Sequence, residues 1–158
     1  MKKQVFILYS ETTESKERAW IHEVSRAWER RRYQIVELPV KEERTSEDYL
    51  SVLREQDPDY LVTINMVGFH WTTLLEGSVY NLLHAKQLHL LSEDRGQYEA
   101  FLQKEYAINL FFFTDNRETV KNWEKRYPRL PHLEWMSGPE ALDDVVEKVL
   151  NYTWTADA

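Results

Sequence analysis

Apolar runs of strand length alternate along this chain with charged stretches in which apolar residues recur at helical spacing. Val5-Phe-Ile-Leu-Tyr9 is a short run of strand formers and predicts a buried strand. Ser10 to Ser15 is polar and turn-like. From Glu17 to Arg32, Trp20, Val24, Ala27 and Trp28 share one helical face, and the remainder is charged. Arg30, Arg31 and Arg32 fall in the last turn, where cations complement the helix dipole. Tyr33 to Val40 alternates as a second strand. Thr45-Ser-Glu-Asp48 then reads as a capping box for a short helix striped by Tyr49, Leu50 and Leu53. Asp57-Pro58-Asp59 is a turn, and Tyr60 to Met66 predicts a third strand.

The second half repeats the theme. Thr73-x-x-Glu76 has the form of a capping box, with Leu75, Val79, Leu82 and Leu83 at helical spacing behind it. This reading places Gly77 inside a helix. Leu88 to Leu91 predicts a fourth strand, and Asp94-x-x-Gln97 caps a helix carrying Tyr98, Phe101 and Leu102. Ile108 to Phe113 predicts a fifth strand, and Asp115-x-x-Glu118 opens a helix carrying Val120, Trp123 and Tyr127. His132 to Met136 is a weak sixth strand, expected at an edge because His132 and Glu134 interrupt it. Ser137-Gly-Pro-Glu140 opens a last helix with Leu142, Val145, Val146, Val149 and Leu150 on one face.

This alternation predicts an α/β fold, a three-layer sandwich whose open parallel sheet of five to six strands carries helices on both faces. Right-handed crossovers leave few topologies. The Rossmann-like order 3-2-1-4-5-6 is preferred, with the flavodoxin-like order 2-1-3-4-5 as the second choice. The first, third and fifth strands are expected to be most central, being the most continuously apolar. Residues 1–152 are expected to form a single domain, and 153–158 a frayed tail.

Composition narrows the function classes. The 158 residues hold 20 Lys+Arg against 27 Asp+Glu, a formal charge of −7. Non-specific nucleic-acid binding needs clustered Lys and Arg, so no nucleic-acid partner is expected. No cysteine is present, which excludes disulfides and thiolate-bound metals. His22, His70, His84, His89 and His132 fall at none of the usual metal-binding spacings, so no metal is expected. The four glycines are Gly68, Gly77, Gly96 and Gly138. They form no dinucleotide fingerprint, P-loop or nucleophile elbow, and no cofactor is expected. No apolar run is long enough to span a membrane and no secretory leader is apparent, so a cytoplasmic location is expected.

In open α/β sheets, ligands bind beyond the carboxyl ends of the strands at the switch in strand order. With the preferred order, the segments following the first and fourth strands flank that switch. Ser10 and Thr12 lie in the first, Ser10-Glu-Thr-Thr-Glu-Ser15. This segment resembles the flavodoxin phosphate loop, Ser/Thr-x-Thr-Gly-x-Thr, with Thr13 in the glycine place and Ser15 in that of the last threonine. Glu11 and Glu14 put negative charge where a phosphate would sit, and the simpler role for these residues is to cap the next helix. Glu93 and Asp94, after the fourth strand, are an acid–base candidate pair, or else Asp94 is a cap. The least ordinary stretch runs from Asn65 through Gly68, Phe69, His70 and Trp71 to Thr73. Three consecutive rings cannot all enter one core, so at least one is expected to be exposed or to line a cleft: either an aromatic platform with a nearby imidazole, suited to a sugar or planar base, or two rings packed under the next helix with His70 solvated at the surface. A phosphoreceiver domain would need an acidic pair ending the first strand and an aspartate after the third. Tyr9-Ser10 and Asn65 stand there instead, which excludes that reading.

Asp57-Pro-Asp-Tyr-Leu-Val-Thr-Ile-Asn65, Gly68-Phe69 and Tyr80-Asn-Leu-Leu-His-Ala-Lys86 form a pattern continued by Tyr98-x-x-Phe101-Leu102 and Arg126-Tyr127-Pro128. Over residues 57–138 it resembles an uncharacterised N-terminal Rossmann-like domain found ahead of GT-B glycosyltransferase-like (CgeB-like) domains. The family's Pro-His-Gly-like turn is replaced here by Met136-Ser137-Gly138, so its histidine is lost. The resemblance implies an acceptor-side or partner-docking half, with the nucleotide-sugar held mainly by another half. The expected function is thus a non-catalytic binding or assembly module, incomplete as an enzyme, whose partner is a separate glycosyltransferase-like protein. The alternatives are a flavodoxin-like flavin carrier or small enzyme, and a self-associating homodimeric domain without a small-molecule ligand.

Overall fold

A computed structural model of the chain describes residues 3–41, 46–67, 72–73, 77–78, 85–92, 110–128, 130 and 132–152. Its chain order is β1 (Gln4–Ser10), α1 (Ser15–Arg30), β2 (Gln34–Val40), α2 (Ser46–Gln56), β3 (Tyr60–Ile64), β4 (Thr72–Thr73), β5 (Gly77–Ser78), β6 (Lys86–Leu91), β7 (Leu110–Thr114), α3 (Arg117–Arg126), β8 (Leu133–Trp135) and α4 (Leu142–Asn151). A 3-10 turn, Pro139–Ala141, leads into α4.

Six strands form one parallel sheet in the order β2-β1-β3-β6-β7-β8. Counted within the sheet this is 2-1-3-4-5-6, the flavodoxin-like order carrying one further strand. The α/β class and the open parallel sheet stand as expected, and the preferred 3-2-1-4-5-6 order gives way to the second choice. The sixth strand lies at an edge as expected. The fourth strand, β6, is as interior as its neighbours and buried over Gln87–Leu91.

Alternation of side chains divides the core into two layers. Val5 and Ile7 of β1, Val62 and Ile64 of β3, Leu88 and Leu90 of β6, and Phe111 and Phe113 of β7 face α1 and α4. Phe6, Leu8, Leu61, Leu110 and Phe112 point the other way, toward Tyr49, Leu50 and Leu53 of α2 and Trp123 of α3. Helix α1 buries Trp20, Ile21, Val24, Ala27 and Trp28 along one stripe. Each such large apolar side chain contributes roughly 1.5–3 kcal/mol when removed from water.

Three local expectations change. Thr72–Thr73 pairs antiparallel with Gly77–Ser78, so Thr73 opens no helix and Gly77 lies in a hairpin strand. β-Branched threonines and a glycine suit that hairpin better than a first helical turn. The cap of α3 is Asn116 rather than Asp115, since its Oδ1 accepts the N–H groups of Glu118 and Thr119 at 2.9 and 3.2 Å. Strand β3 ends at Ile64, because Asn65 and Met66 turn left-handed.

Candidate functional site

With the observed order, the switch lies between β1 and β3. The segments that flank it therefore follow β1 and β3, not the fourth strand. Leu8 pairs with Thr63, and two residues onward that register brings Ser10 level with Asn65. The fold thus puts Ser10 and Asn65 at the carboxyl ends of the two strands that flank the switch, where such folds form their crevice.

The loop after β1 is closed on itself. Ser10 and Thr12 share a hydroxyl–hydroxyl hydrogen bond of 2.8 Å. The N–H of Thr12 donates to Ser10 Oγ at 3.2 Å, and that of Thr13 to the Ser10 carbonyl at 3.0 Å. The N–H of Glu11 donates to the Val40 carbonyl at 3.1 Å. Arg18, one turn into α1, donates to the carbonyls of Thr13 (2.9 Å) and Glu11 (3.4 Å). Glu14 occupies the N-cap position without a side-chain cap bond, so capping is not what this loop does. Lys16 reaches Asp115 at 2.7 Å and ties the start of α1 to the loop after β7.

Across the crevice, Asn65 and Met66 adopt φ values of 54° and 51°. Asparagine tolerates this region, whereas methionine is held there by its fully buried side chain. The Asn65 amide clamps two strand ends together. Its Nδ2 donates to Ser92 Oγ and its Oδ1 accepts from Ser92 N, both at 2.8 Å. Its own N–H donates to the Leu90 carbonyl at 2.7 Å. Gly68, Phe69, His70 and Trp71 follow in the sequence. These four, with Glu93 and Asp94, lie outside the described residues.

Beneath the crevice, on the α2–α3 side of the sheet, lies a buried polar row that sequence reading missed. His89 Nδ1 is 2.6 Å from Thr63 Oγ1, and its Nε2 is 3.3 Å from Gln87 Oε1. Both ring nitrogens thus meet a polar side chain within the sheet. The ring stacks on Phe112 with centroids 5.2 Å apart. Complete burial pushes the imidazole down to about 3, so it stays neutral. Strict alternation of Gln87 and His89 along one strand face was the available signal. Among the described residues, no cluster of His, Asp and Glu has the makings of a metal site.

A second concavity of about 800 Å³ lies between β7, β8 and α4. His132 stacks there on Phe111 (4.3 Å, 11°) and meets the edge of Tyr152 (4.4 Å). His132 Nε2 is buried and has no hydrogen-bond partner among the described residues. Burial pushes this imidazole down also, with Glu134 opposing. On the opposite face of β8, Trp135 is 38% exposed under the Arg117 guanidinium, 3.8 Å from its ring centre.

No family model and no curated protein sequence matches the chain. The crystal structure of the lysine decarboxylase LdcF of Francisella novicida is similar in fold, with a TM-score of 0.50 and 12% sequence identity. The likeness covers 96% of this chain and 18% of the decarboxylase. The chain therefore spans less than a fifth of that enzyme, and the likeness shows the α/β architecture alone. No helix among the described residues is long and apolar enough to cross a membrane.

Proposed function

We propose that this chain is a non-catalytic binding or assembly module of flavodoxin-like topology. The observation that carries this reading is the state of the loop after β1. A phosphate cradle needs backbone N–H groups free to point at the anion. Here those of Glu11, Thr12 and Thr13 are engaged by Val40, Ser10 Oγ and the Ser10 carbonyl. Asn65 is likewise committed to Ser92, and Lys16 to Asp115. These side chains hold loops in place. Recognition is assigned to Gly68 to Trp71, which follow β3 in the chain, as the ligand or partner contact. The glycosyltransferase setting comes from the resemblance over residues 57–138, which makes a separate nucleotide-binding protein the natural partner.

The flavin-carrier reading draws on the strand order, which is that of flavodoxins. Calorimetric titration with FMN and with a nucleotide-sugar separates the two readings. The module reading expects no binding of FMN. A yellow protein on purification, or micromolar or tighter FMN binding, overturns it.

A further inference from the structure

The two edges of the sheet are built differently. At the β2 edge, Gln34 N donates to Lys3 O and Val40 O accepts from Glu11 N, so the even-numbered residues pair with β1. Ile35, Glu37 and Pro39 therefore turn their backbone groups outward. Proline has no N–H to offer, and a charged neighbour is a second deterrent, so this edge is guarded. At the β8 edge, His132 O accepts from Phe112 N and Met136 N donates to Thr114 O, both at 2.8 Å. Leu133 and Trp135 consequently present their N–H and C=O groups away from the sheet. Those backbone groups have no partner among the described residues. Neither proline nor a charged residue stands at these two positions.

Behind the open edge lies the groove between β8 and α4. Its floor is apolar, formed by Phe111, Phe113, Val145 and Tyr152 around the His132 ring. Its rim carries three carboxylates, Glu134, Asp144 and Glu147, against one ammonium, Lys148. Lys148 bonds Glu134 at 3.1 Å, and Glu147 bonds Arg31 at 2.7 Å. Asp144 has no ion-pair or hydrogen-bond partner among the described residues. His132 Nε2 adds a buried polar atom that lacks a partner among the described residues.

We infer that the β8 edge and this groove together dock an extended, basic segment of a partner polypeptide, which adds to the sheet as a seventh strand. The segment's backbone pairs with Leu133 and Trp135. Alternate side chains enter the groove, apolar ones onto the phenylalanine floor and a Lys or Arg toward Asp144. A second copy of this chain fits worse, because two-fold pairing of β8 with itself brings the acidic rims together. The inference goes beyond the binding-module reading, since it adds a contact surface at the β8 edge, away from the segment that follows β3.

Selection from a displayed library of random decapeptides on the immobilised full chain tests it. The enriched sequences should alternate apolar residues and contain Lys or Arg. Asp144→Lys, an exposed change whose fold is checked by circular dichroism, should weaken the selected peptide about tenfold. Trp135→Pro removes an outward N–H without touching the β7 ladder and should abolish binding. Should that variant fail to fold, amide chemical shifts of the unaltered protein decide, since Leu133 and Trp135 should move most on peptide addition. No enrichment, acidic peptides, equal binding to Asp144→Lys, or shifts centred elsewhere would each overturn the inference. So would a dimer that the peptide fails to dissociate. FMN added to the same samples keeps the two readings apart. Shifts at Ser10 and Asn65 with FMN end the module reading, whereas a silent FMN titration with no peptide binding ends the edge inference alone.

Discussion

Asn65 joins two requirements in one residue, a left-handed backbone and an amide that spans to Ser92, 27 positions away. Asn65→Ala loses both amide bonds and strains the backbone, for an expected cost of about 2–3 kcal/mol. Asn65→Gly loses the bonds yet relaxes the backbone, so it should cost about 1 kcal/mol less than alanine. Urea midpoints should rank native, glycine, alanine; an alanine variant as stable as native would remove the clamp from the account. The sequence carried the third strand past Asn65 to Met66, and the partner of Asn65 is set by strand order and was invisible. His89 gives a pH signature. Its imidazole titrates near 6.5 when unfolded and near 3 when folded. The unfolded chain therefore binds more protons in that window, and stability falls as pH drops through it. Between about pH 8 and about pH 5 the expected loss is about 2 kcal/mol, with His132 shifted in the same direction. A His89 ring signal that titrates near its ordinary value would refute the neutral, buried assignment.

At the level of elements, helix α1 is tied to α4 by charge as well as by packing. Arg31 bonds Asp143 at 2.9 Å, Glu147 at 2.7 Å and the Ala27 carbonyl at 2.8 Å, while Arg30 adds a further bond to Asp143. Those guanidinium groups, Arg31 foremost, hold the Asp143 carboxyl down to about 2. Arg31→Ala should cost about 1 kcal/mol, more at low salt than high, and Arg31→Lys should recover only part of it. A salt-independent melting temperature difference would argue that packing alone joins the helices. The sequence placed these arginines in the last turn of α1 without showing what they face. The misread helix start at Thr73 has a different cause. The capping-box pattern is short, and a two-residue hairpin satisfies the same letters. Pro39 is informative for the opposite reason, since its role depends on β2 being an edge. Pro39→Val restores an outward N–H to a seven-residue strand, and should produce concentration-dependent association by light scattering where the native chain shows less. Unchanged scattering would mean that Glu37 suffices as guard.

Across the whole molecule, alternating patterns made the α/β class legible because period two and period 3.6 are local properties. Strand order was not legible, because both candidate orders arise from the same alternation and the same right-handed crossovers. The crevice moved accordingly, from between the first and fourth strand ends to between the first and third, which put Ser10 and Asn65 at the flanking strand ends. The groove at β8 was illegible for the same reason: β7, β8 and α4 meet only in the assembled sheet. That sheet also separates two apolar layers, and this has an energetic consequence. Leu53 of α2 belongs to one layer and Val24 of α1 to the other, both fully buried or nearly so. Leu53→Ala should cost about 3 kcal/mol and Val24→Ala about 2 kcal/mol, each through a cavity on its own side. Residues without shared partners add within about 0.5 kcal/mol, so the double variant should cost about 5 kcal/mol by urea denaturation. The strands between them are close-packed, and a cavity on one side relaxes mostly within its own layer. A double variant departing from that sum by more than about 1 kcal/mol would show that the sheet transmits strain between the layers. Additivity would show instead that the two faces evolve independently, leaving the α1–α4 face free to carry the β8 groove while the other holds the buried Thr63–His89–Gln87 row.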